Sequence, residues 1–188
     1  FLGQTALFAS GRAGRMLMDV NETIVRAWLE TQGFLVRSRL RYDLSPGGDW
    51  SSASDIDLIG HNPKTGQNVA VLITAWMTQT IAPSQFNAGK PIRKKLENFS
   101  SPAAQAAIRK ALGIRKGKKW WRWFVVSRVS PTSKARVEAL CKPYVDKVFE
   151  FREVMEDLVK YVRASELYFP HESEALQTIR ALLWCKLM

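Results

Sequence analysis

Cysteine and histidine are nearly missing from this chain: Cys141, Cys185, His61 and His171 are all that its 188 residues hold. So few, so widely spaced, they exclude a disulfide framework and a zinc site. The two thiols read as buried groups of a protein kept in a reducing cytoplasm. No stretch of about 18 apolar residues occurs, so neither a transmembrane helix nor a membrane partner is expected. The opening FLGQTALFASGRAGR lacks a long apolar segment behind its charges and does not read as a secretory signal. There is no internal repeat and no low-complexity tract.

Acids are the other scarcity. Seventeen Asp and Glu stand against 28 Lys and Arg, a net charge of +11, and the excess is concentrated in one place. Residues 90–122 carry eleven basic side chains and one acid, Glu97. A localised patch of this kind suggests a polyanionic partner. The candidates for nucleic-acid contact are Lys90, Arg93, Lys94, Lys95, Arg115, Lys116, Lys118, Lys119 and Arg122. Trp120, Trp121 and Trp123 are interleaved with them, which suits phosphate contact combined with stacking or groove packing, one or two of the rings being core. The plainer alternative is a solvated charged face. No helix-turn-helix or zinc-finger pattern points to sequence-specific reading.

With 46% hydrophobic residues the chain has ample material for the core of one domain. Residues 1–18 read as an extension outside the fold, 19–150 as the core, and 151–188 as a C-terminal helical part of the same domain. Asp19 opens a helix to about Gln32, with Val20, Ile24, Val25, Trp28 and Leu29 on one face. Phe34–Tyr42 alternates as a half-buried strand whose outer face carries Arg37, Arg39 and Arg41. A Gly, Ser and Pro-rich loop follows, then two strands joined by a turn at Asn62–Gly66. Thr78–Lys90 looks irregular. Ile92–Phe99 reads as a basic helix, and Ser101-Pro102 caps another that ends at Leu112-Gly113. Trp120–Val129 reads as one strand, Ser130–Cys141 as a helix and Val145–Phe151 as a fifth strand. Two helices, about Glu153–Arg163 and Glu172–Lys186, close the chain. Three consecutive strands imply an antiparallel meander, and the later helical crossovers imply parallel additions. The expected fold is α/β, a mixed sheet flanked by helices.

The stretch with chemical promise is SDIDLIGHNPKTGQNVAVLITAW, residues 54–76. Asp55 and Asp57 alternate with Ile56 and Leu58, which would place both carboxylates on one strand face. A carboxylate in an apolar strand is costly to bury, and that makes it a candidate for metal or catalytic work.

An acid in the first helix, Asp-Ile-Asp leading one strand and Val71-Leu72-Ile73-Thr74-Ala75-Trp76 in the next resemble the PD-(D/E)XK nuclease superfamily, of restriction-endonuclease-like fold. Glu22 and Asp57 match its first two carboxylates. Leu72 stands where the pattern has Glu, and Thr74 where it has Lys. The resemblance implies a Mg²⁺-dependent endonuclease acting on DNA, with Glu22 and Asp57 as metal ligands and Leu72 and Thr74 as degenerate catalytic positions. Leucine offers a metal no lone pair and threonine offers no positive charge, so the expected protein binds duplex DNA without cutting it efficiently.

Two alternatives stand beside that expectation. One is an active endonuclease with a relocated base drawn from Lys90, Lys94 or Lys95, assisted by Gln79 or Gln85, with Asp49 or Asp55 replacing the lost carboxylate. The other is a non-catalytic assembly domain. A homodimer or a nuclease partner is compatible with each. For Glu22 itself the competing role is structural, as the third residue of an Asp19-x-x-Glu22 capping box.

Overall fold

Asp19 starts the first helix as its sequence suggests: its carboxylate accepts a hydrogen bond from the Asn21 N–H at 3.1 Å. The computed structural model describes residues 19–44, 53–75, 80–115, 117–165 and 173–185. Helix α1 spans Val20–Thr31 and hands over to β1, Leu35–Asp43. Strands β2 (Ala53–Asn62) and β3 (Gln67–Thr74) complete an antiparallel meander. Asn62 locks its turn. The buried amide donates to the Gln32 carbonyl at 2.9 Å, and its oxygen accepts the N–H groups of Lys64 and Thr65.

After β3 come the short β4 (Thr80–Ile81), α2 (Pro91–Phe99) and α3 (Pro102–Ala111), the last capped by Ser101 Oγ. Strand β5 is Trp121–Val126 and β6 is Arg128–Val129; α4 (Lys134–Cys141), β7 (Lys147–Glu150), α5 (Phe151–Ala164) and α6 (Glu174–Trp184) follow. The main sheet has the order β1-β2-β3-β5-β7, with β5 parallel to both β3 and β7. The chain is therefore a single α/β domain with a mixed five-stranded sheet, as expected.

Three boundaries differ from the sequence reading. The strand expected over Trp120–Val129 breaks at Ser127, whose hydroxyl turns to the Thr74 carbonyl, and β6 instead pairs with β4 in a separate two-stranded sheet. Thr78–Lys90, expected to be irregular, thus contains β4. Phe151 belongs to α5 rather than to the fifth strand, because the Glu153 carboxylate caps the helix at the Glu150 N–H, 2.9 Å away.

β3 is buried on both faces, as its unbroken apolar run requires. Val69, Val71 and Ile73 pack with Trp28, Leu29, Trp123 and Phe149 in the layer under α1, α5 and α6. Ala70 and Leu72 pack with Ile59, Phe99, Ile108 and Phe124 in the layer under α2, α3 and α4. Residues 151–164 and 174–184 contribute Val154, Leu158 and Ile179 to the first layer, so the C-terminal helices share the core.

One irregularity decides where the functional residues end up. In β2, Ile56 lies in the α2/α3 layer while Leu58 lies in the α1 layer. In β1, Val36 and Leu40 are split in the same way. A regular pleat keeps residues i and i+2 on one face. The register does not slip, since Ser38 pairs with Leu58 and Leu40 with Ile56. Both strands turn over together at Arg39 and Asp57. Arg39 is the single described non-glycine residue with positive φ, +53°, a left-handed conformation that reverses the side-chain alternation. Arg39→Gly should therefore be about 1 kcal/mol more stable than Arg39→Ala in urea unfolding. Both variants lose the guanidinium, and only alanine keeps the steric cost. Equal stabilities would mean that the conformation carries no strain.

Candidate functional site

Asp57 sits where β1 and β2 turn over. Its Oδ2 accepts a hydrogen bond from the Ile73 N–H at 2.5 Å, tying β2 to the end of β3. Burial pushes its pKa up to about 6, against the opposing pull of the Ile73 N–H and the Lys95 ammonium. Glu22 and Asp55 reinforce the rise through their own negative charge. Lys95 belongs to α2 and Glu22 to α1, so Asp57 feels both helical layers at once.

The two aspartates do not share a strand face as alternation predicts, while Asp55 is solvated as its place at the strand entrance suggests. Asp55 is exposed and lies 3.5 Å from the Arg41 guanidinium, while Asp57 is turned inward. The pleat reversal accounts for the difference. Nor does Glu22 complete a capping box with Asp19. Its carboxylate reaches 3.3 Å to Arg39 Nε in a half-buried ion pair, which no spacing in the sequence announces.

Leu72 is 3% exposed and faces the α2/α3 layer. Thr74, two residues on, lines a cavity of about 560 Å³ together with Ile81, Ser84, Gln85, Asn87, Lys90 and Lys95. Lys90, Lys95 and Gln85, considered as relocated catalytic groups, do come together there. Lys94 is exposed on α2 and Asp55 is paired outside, while Asp49, Trp76 and Gln79 lie outside the described residues. Two polar atoms near the end of β3, Thr74 Oγ1 and Asn21 Oδ1, are buried and have no hydrogen-bond partner among the described residues. Asn21 is a residue that sequence reasoning missed; its Nδ2 donates to the Ala75 carbonyl at 2.8 Å and anchors α1 to the strand end.

The donor set does not fit an octahedral Mg²⁺. Such an ion is held by carboxylate oxygens at about 2.1 Å. Here Glu22 is engaged by Arg39, one Asp57 oxygen is engaged by Ile73, and Leu72 supplies nothing. Among the described residues no group of three or more His, Cys, Asp or Glu side chains is placed to hold a metal.

The basic segment separates into two clusters. Lys90, Arg93, Lys94 and Lys95 stand on or beside α2, at the Asp57 end of the sheet, and Arg93 is bound to Glu97 at 2.7 Å and lies over the Tyr144 ring. Arg115, Lys118, Lys119 and Arg122 lie at the opposite end, beside the β2–β3 turn and the start of β5; Lys116 is outside the described residues. Arg122 is held by Asp146 through both guanidinium and backbone, at 3.2 and 2.8 Å. The tryptophans do not form an open platform: Trp120 and Trp123 are buried, and Lys119 covers the Trp121 ring at 3.7 Å.

Comparison of the chain with family models, curated proteins and solved structures gives no match.

Proposed function

We propose that this chain is a DNA-binding protein of nuclease-like architecture whose catalytic centre is disarmed. The observation that carries the reading is the state of the Glu-x-Lys positions. Leu72 is closed into the core, and Thr74 presents no cation where one would activate water. Meander, parallel additions, an acid on α1 and a buried aspartate facing β3 all agree with the resemblance read in the sequence. The excess of basic groups in residues 90–122 supports a polyanionic partner.

Lost transition-state stabilisation of several kcal/mol corresponds to about 10³-fold or more in rate. Supercoiled plasmid incubated with Mg²⁺ or Mn²⁺ should therefore stay supercoiled, while a labelled duplex binds at low salt and is released steeply as salt rises. Nicking abolished by Asp57→Asn would replace this reading with that of an active endonuclease, which the gathering of Lys90, Lys95 and Gln85 around Thr74 favours. A chain that binds no duplex even at low salt would leave only the assembly role.

A further inference from the structure

We propose that duplex DNA docks at the turn end of the sheet, away from the Asp57 centre. This rests on the DNA-binding reading above and names the surface that performs it. Two adjoining grooves define that surface, one of about 400 Å³ and one of about 410 Å³, and they share Lys118 and Lys119. Arg109 and Arg122 stand on the wall of the first, and Arg115 and the His61–Asn68 pair on the second. Among the described residues the one acid in either groove is Asp146, which Arg122 already binds. Arg115, Lys118 and Lys119 are exposed, and none of them, nor Arg109 or Lys110, makes an ion pair within the described residues. From Ser101 to Val137 the sequence holds no acid at all.

The Asp57 end is different. Two of its four cations face carboxylates: Lys95 lies in the field of Asp57 and Arg93 is bound to Glu97, which leaves Lys90 and Lys94. At the turn end Lys119 lies in the field of Asp146, while Arg109, Lys110, Arg115 and Lys118 make no ion pair among the described residues. A phosphate approaching α2 meets the Asp57 charge. His61 and Asp57 are four residues apart on β2, about 13 Å at roughly 3.3 Å per residue. That exceeds the screening length of about 8 Å at physiological salt, so the Asp57 charge opposes a phosphate at its own end of β2 and not at the turn end. The turn end has the larger unopposed charge.

The same geometry sets the form of the partner. Single-strand binders stack bases on open aromatic faces. Here Trp120 and Trp123 are buried and Trp121 lies under Lys119, which leaves phosphate contacts and hence sequence-independent duplex binding.

The test compares two triple variants that change net charge equally, with the full chain and a short fluorescent duplex followed by anisotropy. Arg115→Glu, Lys118→Glu and Lys119→Glu together should weaken binding by about tenfold or more and flatten the salt dependence by about 0.9 for each phosphate no longer neutralised. Lys90→Glu, Lys94→Glu and Lys95→Glu together should weaken it by no more than about threefold. Circular dichroism verifies that both fold. Equal or larger loss in the α2 triple overturns the proposal, as does a single strand that binds about tenfold tighter than the duplex. If the unmodified chain binds no duplex at low salt, the DNA-binding reading itself fails; if it binds and the α2 triple alone loses affinity, only the location fails.

Discussion

Leu72→Glu should cost the fold about 4 kcal/mol, read as a lower urea midpoint with an unchanged slope. The position lies on the central strand, 3% exposed, among Ile56, Ile59, Ala70 and Phe124. A carboxylate there loses its water and gains no fixed donor, since the neighbouring Ile73 N–H is already taken by Asp57. Leu72→Met, which keeps volume and polarity, should cost less than about 1.5 kcal/mol and separates packing from charge. Adding Thr74→Lys to Leu72→Glu should recover about 1 kcal/mol, because Thr74 borders a cavity with room for the longer side chain. If the double variant also gains Mg²⁺-dependent nicking, the scaffold is a disarmed nuclease in the strict sense. A folded double variant without nicking means that the surrounding geometry has moved on as well. Should Leu72→Glu alone cost less than about 1 kcal/mol, the site is open to water and the closed-core argument fails.

Position 72 also marks how far the sequence can be read. The Asp19 cap, the Ser101-Pro102 helix start and the unbroken run of β3 are legible because each is a local rule with a local cause. The meander with parallel additions follows from element order and connection length. What escapes is tertiary. Nothing near Arg39 announces a positive φ, since the usual residues for it are glycine and asparagine. Without that reversal, alternation puts Asp55 and Asp57 on one face, although the place of Asp55 at the strand entrance already marks it as the solvated one of the two. Glu22 looks like half of a capping box because its true partner lies seventeen residues away on another element. The basic run looks like one patch because residues 90–122 are contiguous in the chain; α2 and α3 carry its two halves to opposite ends of the sheet. Ser127 interrupts β5 through a bond to Thr74, which no propensity in WWRWFVVSRV reveals.

Asp57→Asn should stabilise the protein at pH 8 by about 2 kcal/mol, in proportion to the burial penalty that its charge carries. The ordinary carboxylate value of 3.8 rises to about 6 in the folded chain. A group raised in this way holds its proton more tightly when folded. Its contribution is complete below about pH 4 and is lost as pH rises through about 6. At about 1.4 kcal/mol per unit the full loss is about 3 kcal/mol, and residual solvent at a site that is not fully enclosed reduces it to about 2. Asparagine keeps an acceptor oxygen for the Ile73 N–H and never ionises, so the variant should lack this downward slope between pH 4 and 7.

Other groups slope the opposite way. Burial pushes Asp146 and Glu153 up, but hydrogen bonds from Arg122 and Lys134 outweigh it and leave both below the usual range. Their stability is present above the ordinary carboxylate range and is lost as acid protonates them. Subtracting the urea-derived stability of the unmodified chain from that of Asp57→Asn at each pH removes these common contributions and isolates Asp57. A difference that grows from near zero at pH 4 to about 2 kcal/mol at pH 8 is the expected curve. A flat difference, or an asparagine variant less stable at pH 8, would show that Lys95 and Ile73 hold the carboxylate charged at no net cost. The centre would then be a settled ion pair rather than a carboxylate buried at a cost.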